Sequence, residues 1–263
     1  MNNKNNFLII LVGLPASGKT TFAQILKKKL SLYFRSEVKI IDPDLLRDTL
    51  SPKNFDFQNE PRIREETLKR VRKYLKKGLI VISDDLNYFT SMRHDLKSIT
   101  DDLGTNFYII HISTPLELCL KRNEKRGKPI PNEVIQKIHK KFDNFKKYRW
   151  DNPLKTYNST QSSDSVKFIE DLMNEIAEDL KKNNNKTTIR KTPHSSNLEA
   201  LDLITRKYVG SLLDVPQNRS HKDDILKHRR FYIKKKTNNL TDTKVILKDF
   251  KRYLAKNLKI NLI

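Results

Sequence analysis

The sequence predicts an α/β fold, a parallel sheet with helices on both faces, followed by a small all-α domain. Three observations predict it. Apolar runs of strand length alternate with helix-length amphipathic segments, the pattern of a buried parallel sheet. The first of those runs leads directly into a glycine-containing loop. Beyond a polar stretch around residues 183–197, strand-like runs stop and only helical periodicity continues.

Taken in order, the expected strands are "FLIILV" 7–12, "VKIID" 38–42, "LIVIS" 79–83 and "FYIIHIS" 107–113, with "LKTYNST" 154–160 a candidate fifth. Each is short and rich in β-branched or aromatic residues. The intervening "TTFAQILKKKLSLYF" and "IREETLKRVRKYLKKG" carry apolar residues at helical spacing, and residues 165–182 form an amphipathic helix that closes the first domain. Residues 183–197 are nearly devoid of large apolar side chains and read as a linker. Three helical patterns follow, at 198–215, 221–236 and 240–258. The expected domains are therefore 1–182 and 198–263.

The formal net charge of the 263-residue chain is +22, from 53 Lys plus Arg against 31 Asp plus Glu. Residues 184–263 hold a net +12, so the excess concentrates in the smaller, helical part. A surplus of this kind points to a polyanionic partner, of which nucleic acid is the commonest; a Lys-rich proteome is the plainer explanation. The single cysteine, Cys119, excludes an intrachain disulfide, fits a reducing, cytoplasmic setting, and sits in a helical pattern as a small core residue. No apolar run approaches the length of a membrane span.

The loop "GLPASGKTTF" after the first strand has Gly13, four residues, then Gly18, Lys19 and Thr20. This is the complete P-loop pattern in its required context of strand before and helix after. Its expected nucleotide contacts are Gly13, Leu14, Pro15, Ala16, Ser17, Gly18, Lys19, Thr20 and Thr21. The backbone N–H groups and the helix N-terminus hold phosphate oxygens. Lys19 reaches the β- and γ-phosphates, and the Thr20 hydroxyl ligates Mg²⁺.

Three more segments follow strand ends, where α/β ligands bind. In "DPDLLRD", Asp44 and Arg47 share a helix face: Asp44 suits proton acceptance from a hydroxyl, Arg47 substrate or phosphate orientation, and a helix N-terminal acid is the plainer alternative. After the third strand, Asp84 occupies the metal-linked acid position, with Asp85 the runner-up, and Tyr88, Phe89 and Met92 either line an acceptor pocket or pack. In "KRNEKRGKPIPNEVI", Arg122 and Arg126 lie four apart and suit charge stabilisation on a transferring phosphoryl group, or a solvated basic face. Gly127 and two prolines then break the helix, which predicts a mobile lid.

Together with "DDLNYFTSMRHDL" and "KFDNFKKYRWDNP", these blocks resemble, in order across residues 7–153, the archaeal O-phosphoseryl-tRNA(Sec) kinases. The resemblance implies a P-loop NTPase fold with an adenylate-kinase-like sheet, and ATP and Mg²⁺ as cofactors. It implies Lys19 and Thr20 as the nucleotide and metal groups, Asp44 and Arg47 as the catalytic pair, Arg122 and Arg126 as lid arginines, and Tyr88, Met92 and Trp150 as the seryl-end pocket. It implies a tRNA(Sec) carrying serine as partner and a C-terminal tRNA-binding domain. Within that domain the basic clusters of 227–236 supply Arg229, Arg230, Lys234 and Lys235. Phe89 and Ile138 depart from the family's Tyr and Met, and Phe89 lacks the hydroxyl. A weaker resemblance extends to an Elongator-accessory ATPase family, which implies ATP hydrolysis without a phosphorylated acceptor. A nucleic-acid 5′-hydroxyl kinase and a small-molecule kinase stand as further alternatives, and homodimerisation is left open.

Overall fold

The computed structural model describes residues 6–50, 59–146, 148–160, 165–184, 197–236, 243–258 and 260. The chain divides into two compact units, 1–189 and 190–263. Most of the expected linker, residues 185–196, lies outside the described residues.

The first unit is built on five parallel strands, β1 (Phe7–Val12), β2 (Val38–Ile41), β3 (Ile80–Asp84), β4 (Asn106–Ser113) and β5 (Lys155–Asn158), in the order β2-β3-β1-β4-β5. The candidate fifth strand is present. β1 is central and buried throughout. Although its apolar run is continuous, its side chains divide by the two-residue period of a strand. Phe7, Ile9 and Leu11 pack on one face against Phe22, Leu26 and Leu30 of α1 (Lys19–Phe34) and Ile169, Leu172 and Ile176 of α7 (Ser165–Asn184). Leu8, Ile10 and Val12 pack on the other against Val71 and Leu75 of α3 (Glu60–Lys76) and Leu96 and Ile99 of α4 (Thr90–Leu103). Each such side chain contributes about 1.5–3 kcal/mol by leaving water.

The strand order reverses direction at β1: the chain runs from β1 across β3 to β2, then from β3 across β1 to β4. The carboxyl ends of β1, β2, β3 and β4 therefore open onto one crevice. Above it lie α2 (Pro43–Leu50), α5 (Leu116–Lys125) and α6 (Asn132–Lys141).

The second unit holds α8 (Asn197–Asp214), a 3₁₀ segment at Pro216–His221, α9 (Lys222–Lys236) and α10 (Thr243–Asn257). Its own core joins Leu201, Tyr208 and Leu212 of α8, Ile225, Tyr232 and Ile233 of α9, and Ile246, Phe250 and Leu254 of α10. No strand occurs among its described residues.

Candidate active site

The loop after β1 is shaped by two glycines. A Cβ on Gly13 would stand 2.7 Å from the carbonyl oxygen of Ile112 in β4, so no larger residue fits without moving that strand. Gly18, at φ 102°, is left-handed and immediately precedes α1. Ala16 is also left-handed, at φ 59°, which costs a residue with a Cβ about 1–2 kcal/mol. The loop is held from outside as well. The Gly13 N–H donates to the Leu86 carbonyl, and the Thr114 hydroxyl and Arg122 Nη1 both donate to the Ser17 carbonyl. Arg122 also donates to the hydroxyl and carbonyl of Ser159, past the end of β5.

Lys19 is buried, and its ammonium donates to the carbonyls of Gly13 and Leu14 at 3.1 and 2.7 Å. Burial pushes it down to about 8, partly opposed by the negative charges of Asp84, Asp85 and Asp44. Asp84 pairs in register with Leu11, two residues before the loop. Burial pushes its carboxyl up to about 6, against a hydrogen bond from Thr20. Its Oδ2 is buried with no hydrogen-bond partner among the described residues. Asp85 is engaged differently: Oδ1 accepts the Leu86 N–H, and Oδ2 lies 3.6 Å from Arg64 Nη1. A hydroxyl beside a buried carboxylate oxygen without a partner suits a hard, oxygen-seeking cation, so the residues fit Mg²⁺ at Thr20 and Asp84 better than at Asp85. Among the described residues, no group of three or more His, Cys, Asp or Glu could hold a metal ion by itself.

At the end of β2, Asp42 accepts the Asp44 N–H at 2.8 Å and so caps α2. Burial raises its carboxyl above the usual range. Arg47 is fixed by two bonds to Glu60 of α3, 2.7 and 2.8 Å, and by a third to Asp44. The Glu60 contact holds its guanidinium well above its ordinary value. The Asp44 side chain itself is 83% exposed. It thus stands at the crevice with one oxygen tethered and open access for a hydroxyl.

Beyond β3 the loop through Asn87–Thr90 is organised by Arg93, which is fully buried. Its Nε and Nη2 donate to both oxygens of Asp151 at 2.5 and 2.7 Å, Nη1 to the carbonyls of Asn87 and Tyr88, and Nη2 also to Thr90 Oγ1. Its guanidinium lies 4.8 Å from the Phe145 ring centroid. Asp143 adds two bonds, its N–H to the Tyr88 carbonyl and its carboxylate to the Thr90 N–H. The "SMR" and "WD" blocks are thereby one ion pair.

The α5–α6 hairpin is sewn together by Asn123, whose side-chain amide donates to the Ile130 carbonyl and Asn132 Oδ1. Ile135, Cys119 and Leu14 form a small apolar cluster, with Ile138 and Phe142 beside it. The hairpin expected to be a lid is seated on the P-loop through Leu14. Cys119 is core, as its pattern suggested.

A family model described as "Chromatin associated protein KTI12" matches residues 7–227. An L-seryl-tRNA(Sec) kinase of Methanococcus maripaludis is 36% identical over 261 residues, which is 96% of this chain and 100% of that protein. The chain belongs to this family of P-loop kinases. Protein kti12 of Schizosaccharomyces pombe is 29% identical over 216 residues, 79% of this chain and 76% of its own length. Two solved structures share the fold. The Mycobacterium tuberculosis APS kinase CysC, with AMPPNP and APS, has a TM-score of 0.52 at 19% identity, covering 65% of this chain and 98% of its own. The Chaetomium thermophilum Kti12, with ADP-AlF3, has a TM-score of 0.53 at 22% identity, covering 64% and 98%.

Within this family member, the structure brings together most of the expected groups and separates others. Lys19, Thr20, Asp84, Asp44, Arg47 and Arg122 converge at the sheet's carboxyl end. Arg126 stands at the exposed end of α5. Tyr88 and Phe89 pack ring against ring, centroids 4.1 Å apart and planes tilted by 37°, half-buried beside Met92. Trp150 does not join them. Among the described residues it has ring contacts with His94, Tyr148 and Phe107, the last near the amino end of β4. In the second unit Arg229 is likewise not on an open face. It donates to the carbonyl and carboxylate of Asp202, which Arg206 also binds, and so it ties α9 to α8. Arg230, Lys234 and Lys235 are exposed.

Sequence reasoning missed Asp42, Glu60, Asp143 and Ser159, and gave Arg93 and Asp151 no role. Arg93 and Asp151 lie inside the quoted blocks, but each block carries several other charged residues, so nothing local singles the pair out. Ser159 carries no signal either, since it acts on Arg122 only through folding.

Proposed function

We propose that this chain is an ATP-dependent kinase that phosphorylates the seryl hydroxyl of Ser-tRNA(Sec), giving O-phosphoseryl-tRNA(Sec) for selenocysteine synthesis. The observation that carries this reading is the match to an L-seryl-tRNA(Sec) kinase over 96% of the chain, which takes in the helical unit as well as the P-loop unit. The geometry supports it: a P-loop with a buried lysine, and an exposed carboxylate on α2 within electrostatic reach of that lysine.

In this reading the P-loop holds the nucleotide and Lys19 supplies positive charge to the β- and γ-phosphates. Asp44 accepts the seryl proton while Arg47 holds its orientation. Arg122 holds the loop from behind through Ser17, and Arg126 approaches the transferring phosphate from the end of α5. Thr20 and Asp84 are the groups that would hold Mg²⁺, which when bound offsets phosphate charge. Tyr88, Phe89 and Met92 line the acceptor side. Residues 1–182 carry the chemistry and 198–263 grip the tRNA, in the cytoplasm.

The second reading, a tRNA-associated ATPase with no phosphorylated acceptor, draws on the KTI12 family model. ADP release separates the two. With Ser-tRNA(Sec), the kinase reading expects ADP and phosphoserine in equal amounts, and little ADP with the same RNA uncharged. Equal ADP release with charged and uncharged RNA contradicts it.

A further inference from the structure

α9 presents an outer stripe that packing leaves uncovered. Lys227, Arg230, Phe231 and Lys234 stand at i, i+3, i+4 and i+7, so they share a face. Phe231 is 60% exposed, whereas its neighbour Tyr232 is 3% exposed and packs on Phe250 and Tyr253. Arg230 Nε donates to the Leu226 carbonyl, which lays the side chain along the helix with its guanidinium at the surface. Of the other basic residues near the stripe, Arg229 is placed on Asp202 and Lys236 on Asp249, while Lys235 is also exposed. Asp223 and Asp224 lie in the first turn, so the positive part of the stripe is its carboxyl-terminal half.

Lysines in a last helical turn complement the helix dipole and by themselves indicate nothing more. The dipole does not account for a large aromatic ring set between them in water. We propose that Phe231 is a stacking platform for an unpaired nucleobase of an RNA loop, with Lys227, Arg230 and Lys234 on the flanking phosphates. The chemistry is general: every base has a π-face, and single-stranded or loop nucleotides stack on aromatic side chains while basic residues follow the backbone. A paired duplex cannot use this ring, because its bases are already stacked. The proposal deepens the reading of the second unit as an RNA grip and rests on it.

The test uses the full chain and compares Phe231→Ala, Phe231→Trp and the double variant Lys227→Ala/Lys234→Ala. Each is titrated with a tRNA(Sec) transcript and with a plain RNA duplex over a range of salt. Phe231→Ala is expected to weaken transcript binding about ten-fold without changing the salt slope, and to leave duplex binding unchanged. Phe231→Trp is expected to retain affinity, with the added indole fluorescence quenched on binding. The lysine variant is expected to flatten the salt slope on both RNAs. Unchanged transcript binding by Phe231→Ala overturns the platform, as does an equal loss on duplex. Loss of a concentration-dependent self-association in Phe231→Ala, with RNA binding intact, overturns it in favour of a contact between copies. Phosphoserine formation by the wild type is read separately, so failure of the kinase reading leaves the binding result interpretable.

Discussion

The phosphate end of the first unit and the outer face of α9 are both rich in charge, but they hold it in opposite ways. At the phosphate end Lys19, Asp84 and the nearby Arg93–Asp151 pair are buried, and burial shifts Lys19 down and Asp84 up. On α9, Lys227, Arg230 and Lys234 stand in water. A buried charge is a commitment of the fold: its removal alters stability, chemistry or both. An exposed charge is nearly neutral to folding and acts only when a partner arrives.

Substitutions should separate these two kinds of charge. The largest effect is expected at Lys19. Lys19→Ala should lower phosphoryl transfer by about 10³-fold or more, because nothing else in the loop supplies that charge to the phosphates. RNA binding should survive, as a filter-binding assay would show. Near-normal turnover would remove Lys19 from the chemistry.

Next is the buried pair. Arg93→Ala should cost about 3–5 kcal/mol of stability by leaving Asp151 uncompensated. Denaturant titration reads that loss. A paired Arg93→Met/Asp151→Leu replacement should recover much of the stability while leaving the Tyr88 and Asn87 carbonyls unsupported, so turnover should stay low. Full recovery of turnover would mean that the pair only stabilises.

Arg229 and Arg230 are adjacent in sequence and form a sharper contrast. Arg229→Ala should destabilise the helical unit by about 1.5–3 kcal/mol through the loss of charged hydrogen bonds to Asp202. Arg230→Ala should change stability by under about 0.5 kcal/mol and weaken RNA binding. Similar stability losses for both would collapse the distinction between inner and outer charge.

A pH dependence is expected as well. Burial and the Arg93 charge push His111 from 6.5 down to about 4. As pH falls the unfolded chain takes up this proton first, so His111 favours folding above 6.5 and that contribution is lost between 6.5 and 4. Asp84 has the opposite sign. Its pKa rises from 3.8 to about 6, so the folded state takes up the proton first and stability gains between 6 and 3.8. The two oppose each other in the wild type. His111→Gln should make the protein more acid-tolerant, and Asp84→Asn less so, by about 1–2 kcal/mol between pH 7 and 4.5. Unchanged acid sensitivity in both variants would contradict this assignment.

How much was legible in the sequence follows the same division. The P-loop was legible because backbone geometry leaves few choices: Gly13 abuts a strand carbonyl and Gly18 is left-handed. The strands were legible because a sheet covered on both faces requires continuous apolar runs, and even β5 could be marked. Asp44, Asp84 and Arg122 followed from their positions after strands. The inward turn of Arg229 was not legible, for a physical reason. A motif or a basic cluster fixes residue type, whereas an ion pair distant in sequence decides which way the segment faces. Asp202 of α8 draws Arg229 inward against its neighbouring helix.

The most direct test of the central claim is the fate of the γ-phosphate. The full-length protein is incubated with γ-labelled ATP and Ser-tRNA(Sec), and the aminoacyl ester is then hydrolysed. The account predicts label on released phosphoserine, lowered about 10²–10⁴-fold in Asp44→Asn with ATP binding unchanged. Label that remains on an RNA end, or appears only as free phosphate, would contradict it.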